Sequence, residues 1–203
     1  MRVWKKFFSS WITEPTPDAI LKSLMFFDFR ALHGNFGLAE DLRDSLATMV
    51  EGQTLFFACM ANTIVKNTPP LGFLKSFVVE KSGVHKDTFD LKRKGSGPLV
   101  DAIRLFALEE DVRETSTPER IHALKQKHTA VQKHAEELEH AFEALMLLRI
   151  HHQFEQVASG RRPDNFINPK KLSTPDKKTI KEAFTLISRM QGFIIEKYKS
   201  VRW

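Results

Sequence analysis

Two stretches near the C-terminal end of this 203-residue chain constrain its fold more than anything else in it. Leu138, Ala141, Phe142, Leu145 and Leu148 recur at helical spacing, and Ile180, Ala183, Phe184, Ile187, Phe193 and Ile194 repeat the pattern. A stripe of period 3.6 is apolar on one side only, so two such helices must bury their stripes against each other and against further helices. The punctuation agrees. Thr16-Pro17-Asp18, Thr117-Pro118-Glu119 and Thr174-Pro175-Asp176 each offer a capping hydroxyl, a proline that needs no donor in the first turn, and an acid at the positive end of the helix dipole. Helices are expected to start near 17, 118 and 175, with others over 3–12, 38–50, 54–65, 71–79, 98–110 and one long helix over 130–158 stopped by Gly160. Strand is expected to be minimal, with short extended pieces at 24–29 or 77–80. The fold class is therefore all-α, an antiparallel helical bundle with two long C-terminal helices.

Composition narrows the functional classes. A single cysteine, Cys59, excludes an internal disulfide framework and a Cys-based zinc ribbon and fits a reducing, cytoplasmic setting. The longest uncharged stretch, residues 52–65, is far short of the ~20 apolar residues of a membrane span, and the N-terminus does not read as a signal peptide. The net charge of +6 is uneven: residues 160–203 hold eleven Lys/Arg against four Asp/Glu. This basic end lacks the interleaved aromatics of a single-strand binder, so no nucleic-acid partner is expected. No P-loop, dinucleotide turn, zinc-protease helix or nucleophile elbow occurs. Gly95-Ser96-Gly97 reads as a flexible turn before a helix at Pro98. Glu137-x-x-His140 and the His151/Glu155 pair lack the further ligands of a metal site, so no metal is assigned, and His33, His85, His122, His128 and His134 are expected in loops or facing solvent.

Three polar groupings interrupt apolar runs. Arg149, His152 and Gln153 lie on or beside the core face of the long helix, Asp90, Lys92 and Arg93 lead into Asp101 and Arg104, and Asp28 and Arg30 break an aromatic run. Each reads either as an internal network that locks helices together or as the wall of a cleft.

These residues also carry a resemblance. Phe26-Phe27-Asp28-Phe29-Arg30 with His33-Gly34, Phe89-Asp90-Leu91-Lys92 with Gly95, Pro98-Leu99-Val100-Asp101 and Arg104, Leu148-Arg149 with His152-Gln153, and Gly160, Pro163-Asp164-Asn165, Pro169 and Leu172 together resemble the nucleotidyltransferase substrate-binding domain. That helical region follows a nucleotidyltransferase domain related to protein-PII uridylyltransferase in bacterial signalling proteins, often with cyclic-nucleotide-binding or CBS domains upstream. The resemblance runs from about Trp4 to the C-terminus, with Ala31 standing where proline is expected.

It implies a helical substrate-binding domain over 36–203 and a bridge over 1–35 from a nucleotidyltransferase domain. The Gly-Ser and Asp-x-Asp motifs of such a catalytic domain, whose carboxylates hold the metal ions, are absent. The chain is expected to be a piece of a larger protein or a lone accessory domain, inactive alone, with Mg2+ belonging to the catalytic domain. Arg30, Asp90, Lys92, Arg93, Asp101, Arg104, Arg149, His152 and Gln153 are the candidate substrate-binding residues. The partners implied are a nucleoside triphosphate and an acceptor, with a homodimer as a further expectation. Asp28, expected on a short strand, is the candidate third carboxylate of the catalytic site. The alternative is a regulatory or dimerisation module, favoured by exposed apolar residues on the 38–79 helices. An RNA-processing module of the HEPN type is similar in outline, but Arg149-x-x-His152 does not match its Arg-x(4–6)-His signature.

Overall fold

Helix capping shows how closely the chain follows its local signals. Thr16 caps α2 (Pro17–Phe26), its hydroxyl accepting from Ala19 N–H at 3.2 Å. At the other two Thr-Pro-acid sites the cap is the serine one residue earlier. Ser116 opens α6 (Thr117–Leu124) and Ser173 opens α9 (Thr174–Tyr198); each accepts from the backbone N–H of the acid three residues on and donates to its carboxylate. A serine three residues before Glu119 or Asp176 can exchange both of these bonds with the acid, and the threonines sit one position too late to do so.

The computed structural model describes residues 1–199, except the side chain of Lys75; the last four residues of the 36–203 segment lie outside it. The other helices are α1 (Arg2–Thr13), α3 (Gly37–Val50), α4 (Thr54–Val65), α5 (Gly97–Glu109), α7 (Thr129–Gln132) and α8 (Ala135–Ala158). A two-residue antiparallel sheet, β1 (Phe89–Asp90) with β2 (Phe166–Ile167), is the only sheet among the described residues. The architecture is all-α.

Helix α9 is the axis. It packs against α8, α4 and α5, and α1–α3 close over the far side of α4 and α5. It runs antiparallel to α8: Glu137 near the start of α8 meets Arg189 near the end of α9, whereas Leu172 and Asp176, at the start of α9, share a cleft with His152 and Gln156, late in α8. The core is continuous, from Phe8, Ile12, Ile20 and Leu24 through Phe56 and Phe106 to Leu138, Leu145, Phe184 and Ile187.

Several expectations fail for identifiable reasons. Residues 71–79 form no helix: Pro69-Pro70 precede a tight loop in which Leu71 bridges Phe77 around a single 3-10 turn, Phe73–Lys75, with Leu74 at φ 54°. Residues 24–26 complete α2, and the chain then bends, so no strand forms over 24–29. The long helix is interrupted at Lys133-His134, leaving α7 separate from α8. Phe193 is exposed, and the core position beside it belongs to Gln191, whose amide donates to the carbonyls of Ile64 and Asn67 at the end of α4. A carboxamide there satisfies orphan carbonyls of a helix end, which phenylalanine cannot do. His128, expected in a loop or facing solvent, lies in the loop before α7, half-buried and stacked 4.1 Å from Phe106; burial and nearby Lys197 hold its pKa below the usual imidazole value.

Candidate functional site

Asp90 ends β1, and its carboxylate accepts the backbone N–H of Arg93 at 2.9 Å, starting a π-turn over Lys92–Ser96 that runs straight into α5. The Gly97 N–H donates to Lys92 O, closing the wide turn; a Cβ on Gly97 would lie 2.7 Å from that oxygen. A Cβ on Gly95 would meet Phe184 at 3.0 Å, with Leu91 and Leu145 close behind. Gly95 therefore sits in a close-packed joint between α8 and α9, Gly97 closes the turn on itself, and the flexible turn expected at 95–97 is corrected: Gly95 and Ser96 are buried. π-Turns of this kind are often found at functional sites. Here it holds Lys92 and Arg93 outward, both exposed.

The second wall comes from α8. His152 Nε2 lies 3.1 Å from Asp164 Oδ1, and the Gln153 amide donates to Asp164 O and Asn165 Oδ1. Buried Gln156 accepts the N–H of Asp164, and Asp164 Oδ1 accepts that of Phe166. Burial raises the Asp164 pKa, but the contacts with Gln156, Phe166 N–H and His152 prevail and hold it below the ordinary carboxylate value. Leu91 N–H then donates to Asn165 O, tying β1 to the same turn. Motif residues spread from 89 to 165 in sequence thus converge on one corner.

Next to this corner is an open cleft of about 350 Å³, lined by His85, His151, His152, Arg161, Phe166 and Lys171 among others. That size falls in the range of small-molecule sites. His85 stacks face to face on Phe166, so the cleft has an aromatic wall beside cationic groups. One turn before Gln153, Arg149 has a buried Nε with no hydrogen-bond partner and no ion pair among the described residues.

The remaining candidates form a separate cluster. Asp28 Oδ2 accepts from Arg104 Nε and Nη2 at 3.0 and 2.7 Å, Oδ1 accepts from Arg120, and Arg104 also reaches Asp101 at 3.3 Å. Burial raises the Asp28 pKa, but the hydrogen bonds and charges of Arg120 and Arg104 outweigh it and leave it lowered; burial of Asp101 prevails over Arg104 and raises its pKa. Asp28 lies in the bend after α2, not on the strand expected for it. Arg43 donates to Phe29 O and Arg113 O, fastening the same bend. The space within this half-open pocket is about 70 Å³, room for a few waters and not for a nucleotide. Arg30 is exposed and apart from both clusters, with no partner among the described residues.

Sequence reasoning missed Arg120, Arg43 and Gln156. Arg120 was detectable, since Thr117, Arg120, Ile121 and Leu124 share the buried side of α6. Gln156 continues the spacing of Leu138, Ala141, Leu145 and His152 along α8. Arg43 gave no comparable signal, because its carbonyl partners depend on the bend after α2.

Among the described residues no three His, Cys, Asp or Glu side chains gather as metal ligands, and no helix is long and apolar enough to cross a membrane. No curated protein and no solved structure matches the chain. One family model does, over residues 54–198; its description reads "Putative nucleotidyltransferase substrate binding domain". That span takes in β1, the π-turn, α8 and the 163–165 turn, and with most of the chain matched, this protein belongs to the nucleotidyltransferase substrate-binding domain family.

Proposed function

We propose that this domain holds a nucleoside triphosphate and its acceptor for a nucleotidyltransferase domain related to protein-PII uridylyltransferase, and performs no transfer by itself. Arg149 carries the reading. Its Nε is buried without a partner and no carboxylate pairs with it among the described residues, so the half-buried guanidinium is open to an anion, and its fork geometry suits phosphate. It stands one turn from the side chains that fasten the 163–165 turn, on the helix against which the π-turn packs. Lys92 and Arg93 supply further positive charge from that turn, and the cleft with the His85–Phe166 wall is the place for the base or the acceptor.

In this reading Asp90 positions the π-turn and Asp164 positions His152. Asp28, with both carboxylate oxygens engaged by guanidinium groups, fastens the bend after α2 together with Asp101, Arg104 and Arg120. That arrangement does not fit Mg2+, so the metal belongs to carboxylates of the catalytic domain. Residues 1–35 serve as the bridge toward it: α1 and α2 bury Phe8, Ile12, Ile20 and Leu24 in the common core while leaving Trp4, Phe7 and Phe26 partly exposed. The setting is the cytoplasm of a bacterium, in a signalling protein.

The test is calorimetric titration with UTP and with ATP, each with magnesium, at two salt concentrations. Saturable binding that weakens with salt and is lost in Arg149→Ala, with Arg93→Ala reduced, supports the reading. Unchanged binding in Arg149→Ala, or none at millimolar nucleotide, removes its main support. The alternative of an interaction module is favoured by exposed apolar residues on the 38–79 segment, and Leu38 on α3, Leu55 on α4 and Phe73, Leu74 and Val78 in the loop that follows are exposed.

A further inference from the structure

Helix α8 is apolar on two opposite sides. Leu138, Ala141 and Leu145 face the core, while Leu147, Ile150, Phe154 and Val157 point away from it and are 59%, 52%, 71% and 60% exposed. At 100° per residue these four fall within one narrow stripe about 15 Å long. Leucine, isoleucine, phenylalanine and valine aligned at three- and four-residue spacing are not scattered surface residues; they have the form of a helix-packing seam.

The same line changes chemistry along its length. Before the apolar stretch it carries Glu136, Glu139 and Glu143, and just beyond the end of the helix come Arg161 and Arg162. Glu143, Arg161 and Arg162 have no ion-pair partner among the described residues. Acidic, apolar and basic segments in that order are complementary to themselves when a second copy runs antiparallel. A two-fold axis near residue 152 sets Ile150 against Phe154, Leu147 against Val157, and Glu143 against Arg161. A parallel pair would set like charges side by side.

We propose that two copies of this chain associate through an antiparallel α8–α8 contact along Leu147, Ile150, Phe154 and Val157, with Glu143 of each copy paired to the Arg161–Arg162 corner of the other. Arg161 also lines the cleft behind α8, so the pairing brings the partner's Glu143 to the rim of that cleft. This inference stands on α8 alone and is independent of whether nucleotide binds.

Sedimentation analysis of the intact chain over a hundredfold range of concentration tests it. The expected result is a concentration-dependent shift from the monomer mass to twice that mass. Phe154→Glu, which changes only an exposed side chain and should keep the helical circular dichroism, should remain monomeric throughout. Glu143→Arg and Arg161→Glu should each weaken association at least tenfold, and the double variant should recover most of it, because the swapped charges pair again across the axis. A wild-type monomer at every concentration overturns the proposal and leaves the stripe to a different protein. A dimer indifferent to Phe154→Glu, or one that the double swap fails to restore, overturns it as well.

Discussion

Replacing Asp28 with Asn tests whether the cluster behind α2 is structural. The carboxylate takes three N–H bonds from two arginines, and the Arg120 side chain is only 9% exposed. Asparagine keeps one acceptor and turns an NH2 donor toward a guanidinium, so one cation is left buried beside a donor. Breaking a buried ion pair from one side costs ~3–5 kcal/mol. With Asp28 16% and Arg104 32% exposed, solvent softens the loss, and about 3 kcal/mol is the expectation. For a domain of this size that lowers Tm by roughly 6–12 °C. Thermal unfolding near neutral pH, followed by circular dichroism, reads it directly. Arg120→Met in the Asp28→Asn background removes the stranded cation and should recover part of the loss, so the two substitutions are strongly non-additive. A Tm within about 2 °C of wild type for Asp28→Asn would refute the reasoning, and if nucleotidyl transfer by the protein joined to its catalytic domain were abolished at the same time, Asp28 would be a catalytic carboxylate after all.

The pH dependence follows from the same residue and from His128. The folded-state pKa of Asp28 is lowered, so its stabilisation is complete above its unfolded value near 3.9 and is lost as pH falls through the folded value; acid unfolding should begin below about pH 4 and shift in Asp28→Asn. The His128 pKa is also lowered on folding, so stability should decline as pH drops from about 7 toward 5, and His128→Leu should flatten that slope in urea titrations. Gln191→Leu leaves the carbonyls of Ile64 and Asn67 without their donor, a loss of about 2–4 kcal/mol visible as a lower urea midpoint at unchanged m. Gly97→Ala forces Cβ against Lys92 O and should cost about 1–3 kcal/mol, with faster amide exchange over residues 92–97 as its signature.

The helices were legible because their signals are local. Thr16, the Pro-acid steps, the Gly160 stop and the stripes of α8 and α9 act within a turn or two, and such signals act before any tertiary contact forms. Family membership was legible too, from an ordered series of short motifs. What those motifs do was not. Asp90 turned out to cap a π-turn, Gly95 and Gly97 to be places where a Cβ would crowd its neighbours, and Asp164 to hold His152, roles that depend on partners up to eighty-nine residues away. Asp28 and Arg120 are ninety-two residues apart in the chain, and only the docking of α6 against the bend after α2 joins them. The outward stripe of α8 shows the division most plainly. Periodicity reveals that Leu147, Ile150, Phe154 and Val157 share a side, but a helix apolar on both sides has no preferred way to face. The core already filled by Leu138, Ala141 and Leu145 against α9 decides which side is buried and which is left exposed.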